Sequence, residues 1–311
     1  MRVLMAWGMG LDVDSPNARK LGKEFHYYVT LLQDVLPYCG IGTKAWVYAQ
    51  LWVSASRMSS VVQEIVNGNG HKHQPGPNFI TAMLDDGFTH AELVSELNHI
   101  HGAHKAVALA IAMAVYELSA PGNEGWRQAV KDEFKAVLGS RSHPERSDLG
   151  EMPVLRAVRD EVLRLHVVSF GTMRKTGADI QHAGKTIKAG SEMQLWLHAL
   201  HRHPDHWDQP EVFDPHRFLR GDEQLAVEVP SRKTATQPVG MGTYYPFLDG
   251  QRRCAGIHLA KLEWAVMMHA LLVRWDVRTT VPHGTLRKYP DMFVGLEGPL
   301  TYTMNPEGGY E

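Results

Sequence analysis

The sequence predicts a mainly helical fold with a small β component, and three stretches carry that reading. Apolar residues recur at helical spacing from about Thr89 to Leu118, again through Leu155, Val158, Val162 and Leu165, and again from Ile257 to Leu271. The segments that read as strands, 186–197, 275–280 and 293–302, are short beside them.

With 311 residues, 44% hydrophobic and 21% charged, the chain can bury a sizeable core and reads as one domain over 1–311. Its 32 Lys and Arg against 34 Asp and Glu leave a net charge of -2, which gives no basic footprint for nucleic acid. Cys39 and Cys254 are the only cysteines, which argues against a disulfide framework and for a reducing, cytoplasmic compartment. No apolar run approaches the ~20 residues of a membrane span, and Met1 to Gly10 lacks the plan of a signal peptide. The 18 histidines invite a zinc reading, but neither H-E-x-x-H nor paired C-x-x-C occurs.

Taken in order, residues 1–66 read as helices broken at Asp14-Ser15-Pro16-Asn17 and at the Pro37 to Gly42 cluster. Phe25, Tyr27, Tyr28, Trp46, Tyr48 and Trp52 give them aromatic faces suited to core packing or to lining a cavity. Asn67 to Asn78 is a breaker-rich loop with His71 and His73 in solvent. Thr89, with Glu92 three residues on, then caps a long helix closed by Pro121-Gly122. On it Leu93, Leu97, Ile100, His104, Val107 and Ile111 share one stripe.

Residues 124–139 form an amphipathic helix, Ser140 to Gly150 a polar loop, and Pro153 starts the next helix. Glu161 and Arg164 are neighbours on its surface, because residues three apart share a helix face. Thr186 to Leu197 reads as a turn and a strand. His198, His201, His203 and His206 follow in a loop where solvated roles are expected. Gln224 to Val239 is polar and irregular.

Tyr244 to Leu272 is the stretch on which the chemistry centres. Phe247, Gly250, Arg252, Cys254 and Gly256 fit F-x-x-G-x-R-x-C-x-G, and an apolar helix follows at once. Gly250 permits a tight turn, the helix N-terminus favours an anionic sulfur at Cys254, and Gly256 clears room for a flat macrocycle. Such a thiolate suits an iron ligand that pushes electron density toward O–O cleavage. The planar fork of Arg252 suits a haem propionate.

This segment resembles the haem-ligand loop and following helix of the cytochrome P-450 family of haem-thiolate oxygenases. The resemblance implies haem b (iron protoporphyrin IX), with Cys254 as the metal ligand, and a propionate contact at Arg174. Glu161 and Arg164, with Arg217 of Pro215-His216-Arg217-Phe218, match the buried ion network that braces the family's cysteine loop. The helix around His104 resembles the family's distal helix, whose middle usually reads A-G-x-D/E-T-T. Here it reads His101-Gly102-Ala103-His104-Lys105-Ala106, so only Gly102 agrees.

His104 and Lys105 stand where an acid and an alcohol normally organise the water chain that delivers protons to dioxygen. Three readings of His104 remain open at this stage. It is a proton shuttle in place of the acid, an iron ligand opposite Cys254, or a hydrogen-bonded core histidine. Lys105 is expected to snorkel toward solvent.

The resemblance further implies that residues 1–80 are cavity-covering helices and 81–311 the haem-binding core, with the family's amino-terminal portion reduced. Three functions follow as expectations. The first is oxidation of a small organic substrate, with electrons from a separate donor protein. The second is a peroxide-driven or non-oxidative reaction such as a rearrangement or dehydration. The third is a non-catalytic relative that binds haem or ligand and serves as a partner subunit. Separately, a second polypeptide is a candidate to complete the reduced amino-terminal portion.

Overall fold

Capping side chains and prolines set the helix boundaries. The computed structural model describes residues 12, 14–31, 40–67, 78–89, 91–93, 95–96, 103–221, 225–229, 242–289, 295–296 and 298–306. Helix α1, Pro16–Thr30, has proline in its first turn, and the Ser15 hydroxyl accepts the Ala18 amide. Helix α2 runs Ile41–Asn67 and α3 Phe79–Asp85, the latter opened by a reciprocal Asn78–Thr81 capping box. The expected Thr89–Glu92 box is present, with the Thr89 amide donating to Glu92 Oε2 at 2.9 Å and the Glu92 amide to Thr89 Oγ1 at 3.3 Å. Helix α4 spans Ala103–Leu118; whether it continues back to Thr89 lies outside the described residues.

The chain forms two compact units, Met1–Lys105 and Ala106–Glu311. In the first, Leu21 and Phe25 of α1 pack on Met58, Val61, Val62 and Ile65 of α2 with Ile80 and Met83 of α3. Ser54 Oγ ties the two long helices by donating to Glu24 O at 3.0 Å. Phe25 is core, but Trp46, Tyr48 and Trp52 are 57%, 58% and 73% exposed, which corrects the expectation of core packing for those three.

In the second unit, Ala110, Met113, Ala114 and Leu118 of α4 meet α5 (Glu124–Leu138), α6 (Pro153–Leu165) and α8 (Ile257–His269) in one core. Trp126, Val130, Phe134, Val158, Val162, Trp264 and Met268 fill it. The start of α6 is held from α5. Pro153 has no amide to satisfy, and the next two amides, of Val154 and Leu155, donate to the Glu133 carboxylate at 2.8 and 2.7 Å.

Each sheet is a two-stranded antiparallel pair. Strand β1 (Thr172–Lys175) pairs with β4 (Glu192–Leu195), and β2 (Ile180–His182) with β3 (Lys185–Ile187). Gly171 leads into β1 so close to its partner that an added Cβ would stand 2.4 Å from the Leu195 carbonyl oxygen. Helical turn α7, Leu197–Leu200, follows β4. Strand β5 (Trp275–Thr279) pairs with β8 (Tyr302–Pro306), and β6 (Lys288–Tyr289) with β7 (Gly295–Leu296). The partner of β5 therefore begins where the expected 293–302 strand ends, and Gly295–Leu296 within that range pairs with β6 instead.

Candidate functional site

The cysteine loop hangs from the start of α8. Asp249 accepts the Gly250 amide at 2.7 Å, Gly250 takes φ +68°, and a single 3-10 turn over Gly250–Arg252 delivers the chain to Cys254. The Cys254 amide donates to Phe247 O at 2.8 Å, closing the loop, and Gly256 opens the helix. Cys254 is exposed and its thiol is free, and Arg252 is exposed beside it. Among the described residues neither side chain has a hydrogen bond or ion pair.

These residues fit a haem-thiolate centre. Among the described residues the sulfur has no competing partner, and a Cβ at Gly256 would stand in ordinary contact with Sγ, 3.9 Å away. Among the described residues no group of three or more His, Cys, Asp or Glu side chains could hold a bare ion. A pocket of about 210 Å³ opens on another part of the loop, between Arg159 of α6, Lys261 of α8 and Tyr244–Leu248; Cys254 is not among the residues lining it.

The structure brings Glu161, Arg164 and Arg217 together. Arg164 grips the Glu161 carboxylate through two bonds of 2.7 and 2.8 Å, and Arg217 Nε lies 3.4 Å from the same group. Arg164 also donates to the carbonyls of His201, Pro210 and Val212, and the Asp214 amide donates to Glu161. Glu161 and Arg164 are fully enclosed and Arg217 is 3% exposed. Burial raises the Glu161 pKa, opposed by its two charge-assisted bonds to Arg164. Trp207 covers the Arg164 guanidinium at 5.1 Å.

The remaining expected site residues are placed less tightly. Arg174, exposed on β1, folds its guanidinium back on Thr172 Oγ1 and Met173 O, both at 2.8 Å. His101, Gly102 and the side chain of His104 lie outside the described residues, and Lys105 is half-buried on α4. His203 and His206 are exposed as expected of loop histidines, but His201 is completely enclosed, which corrects the solvated reading there. Its Nε2 accepts the Tyr245 amide at 3.0 Å. Burial, with Arg164 and Arg202, pushes its pKa down to about 3, so the ring is neutral.

A second polar network was not foreseen from the sequence. Glu117, at the end of α4, accepts from His166 Nε2 at 2.6 Å and from His283 Nε2 at 3.2 Å. Lys288 Nζ donates to His166 Nδ1 at 2.5 Å, and Arg202 bonds the Leu165 carbonyl nearby. Burial and Lys288 push the His166 pKa down to about 4, against the pull of Glu117. Burial pushes Lys288 down to about 8, helped by Arg202 and opposed by Glu117. Burial would raise Glu117, yet its bonds to His166 and His283 hold it below the usual carboxylate range. The signal was faint because Glu117, His166, His283 and Lys288 are scattered in sequence.

Residues 48–304 match the family described as Cytochrome P450. The chain is 31% identical over 227 residues, 73% of its length and 42% of the relative's, to cyclooctat-9-en-7-ol 5-monooxygenase of Streptomyces melanosporofaciens. It is 27% identical over 201 residues to thromboxane-A synthase of Mus musculus, covering 63% of this chain and 35% of that one. Its structure is similar to that of the cytochrome P450DA haem domain, with TM-score 0.77 at 18% identity, covering 98% of this chain and 65% of the other. The chain spans about two fifths of the length of the curated relatives it matches.

Proposed function

The chain belongs to the cytochrome P450 family, and from that premise we propose that it is a haem-thiolate oxidoreductase of the monooxygenase type that oxidises a small organic substrate. Cys254 would hold the iron of haem b, with Arg252 and Arg174 as propionate partners. The observation that carries this reading is the partner-free, exposed thiol of Cys254 at the head of α8, set by the Cys254 amide bond to Phe247.

Bound there, haem supplies the redox chemistry and the activation of an oxygen donor. The protein's own residues do the rest. Gly250 and the Phe247 carbonyl set the height of the sulfur. Glu161, Arg164 and Arg217 hold the chain beneath it, and the α8 N-terminus favours the thiolate over the thiol. Electrons would come from a separate donor protein.

One observation favours a second reading. His104 and Lys105 replace the acid and alcohol of the family's usual distal pattern, so His104 would carry protons in their place, or peroxide or a non-oxidative rearrangement would replace dioxygen.

The reduced, haem-loaded chain plus carbon monoxide is expected to give the red-shifted absorption band of thiolate ligation. Cys254→Ser loses that band while Cys39→Ser keeps it. Folded haem protein without the band, or a band that survives Cys254→Ser, overturns the assignment. Turnover with hydrogen peroxide but none with an electron-donor system selects the second reading. An unchanged turnover in His104→Ala removes its proton role.

A further inference from the structure

The bracing network and the cysteine loop do not touch through the charged groups themselves. No hydrogen bond runs from Glu161, Arg164 or Arg217 to residues 244–256 among those described; one histidine hydrogen-bonds to both sides, alongside the Tyr244 hydroxyl bond to Asp160 O. The carbonyl of His201 receives Arg164 Nη1 at 3.0 Å, and on the same residue Nε2 receives the Tyr245 amide at 3.0 Å. The imidazole lies against the Tyr244 ring, with centroids 5.2 Å apart, and the Tyr244 hydroxyl donates to Asp160 O at 2.9 Å, beside Glu161.

From Tyr245 the hydrogen bonds continue to the sulfur-bearing residue. The Tyr245 carbonyl accepts the Leu248 amide at 3.2 Å, and the Phe247 carbonyl accepts the Cys254 amide at 2.8 Å. We propose that His201 is a positioning residue that couples the Glu161–Arg164–Arg217 network to the Cys254 loop. Its Nε2 accepts the Tyr245 amide hydrogen while its own carbonyl receives Arg164.

The chemistry constrains the form of the ring. An Nε2 that accepts a hydrogen carries none, so His201 is the neutral Nδ1–H tautomer; a doubly protonated ring would set one N–H against another. A buried amide left without its acceptor costs most of its desolvation penalty. Losing His201 therefore frees the Tyr245 end of the loop even though every charged partner remains. This deepens the function proposed above, because the loop matters to chemistry only if Cys254 binds iron, but the hydrogen bond itself is testable without haem.

The test compares the 311-residue chain with His201→Gln, which can present an oxygen near the position of Nε2, and His201→Leu, which cannot. Amide hydrogen exchange at Tyr245 is expected to speed up about tenfold in His201→Leu, as for the loss of one buried bond, and to stay within about twofold in His201→Gln. In haem-loaded protein the carbon monoxide band of thiolate ligation falls in His201→Leu and is rescued by His201→Gln. Unchanged Tyr245 exchange in His201→Leu, or equal loss in both variants, overturns the proposal, since ring packing alone would then explain the site.

Should His201→Leu fail to fold, nitrogen-15 histidine spectra of the unaltered chain decide. The Nδ1–H tautomer is expected at neutral pH, and an Nε2–H or doubly protonated ring overturns the assignment. If the unaltered chain binds haem without a thiolate band, the proposed function falls, while the Tyr245 exchange still judges His201.

Discussion

Two buried networks meet at the carboxyl-terminal half of α6, and they are built from different cations. Around Glu161 the partners are arginines, which stay charged at any accessible pH and present fixed forks; around Glu117 they are His166, His283 and Lys288, whose charge depends on the medium. The first network is held by carbonyls and amides of residues 201–214 and is buried. The second ties the chain after β5 to the ends of α4 and α6 and reaches solvent at His283, 43% exposed. Charge that stays fixed is thus gathered inside the last turns of α6, and titratable charge stands just past them, at His166.

The sharpest way to break the contrast is Glu161→Ala, which strands two buried guanidinium groups. Unfolding by denaturant is expected to show a loss of about 3–5 kcal/mol, as for a buried pair deprived of one partner. Arg164→Lys keeps the charge but not the fork, and leaves carbonyls at Pro210 and Val212 short of donors. A loss of roughly 2–3 kcal/mol is expected in the same measurement.

The pH dependence should come from the histidines. His166 and His201 have folded pKa values of about 4 and about 3, below the ordinary histidine value of 6.5. The unfolded chain therefore takes up protons first as pH falls. Their contribution is complete above pH 6.5 and is lost progressively on acidification toward pH 4. Each group adds a slope of about 1.4 kcal/mol per pH unit within that window. Thermal unfolding scanned from pH 7 to pH 4 should show the decline, and His166→Gln should flatten it by one group's share. A slope unchanged in that variant would place the titration elsewhere. His283→Ala, at the exposed end, should cost less than about 1 kcal/mol.

How far these features could be read from the sequence depended on whether their partners were near in the chain or fixed by a pattern. The helices around Pro153 and after Gly256 were legible because proline and glycine mark their starts and the apolar stripes carry the period. Glu161 and Arg164 were legible because three residues bring them to one helical face, and Arg217 because a short pattern carries it. His201 was misread, since His198 to His206 has the composition of a solvated loop; its burial comes from Arg164 and Tyr245, both distant in sequence. The Glu117 network left no local mark at all. Trp46, Tyr48 and Trp52 show the converse: aromatic spacing predicts packing only where a neighbouring surface is supplied.

The Glu133 cap has a mechanical consequence. Helix α6 has 13 residues and so is about 20 Å long. One tip is clamped by a carboxylate on two amides, and near the other Glu161 and Arg164 are clasped by carbonyls and amides of the following loop. A rod gripped at two points cannot slide or roll without tearing charged contacts at both. Side chains elsewhere on its surface can be exchanged while the rod itself stays where its two grips hold it.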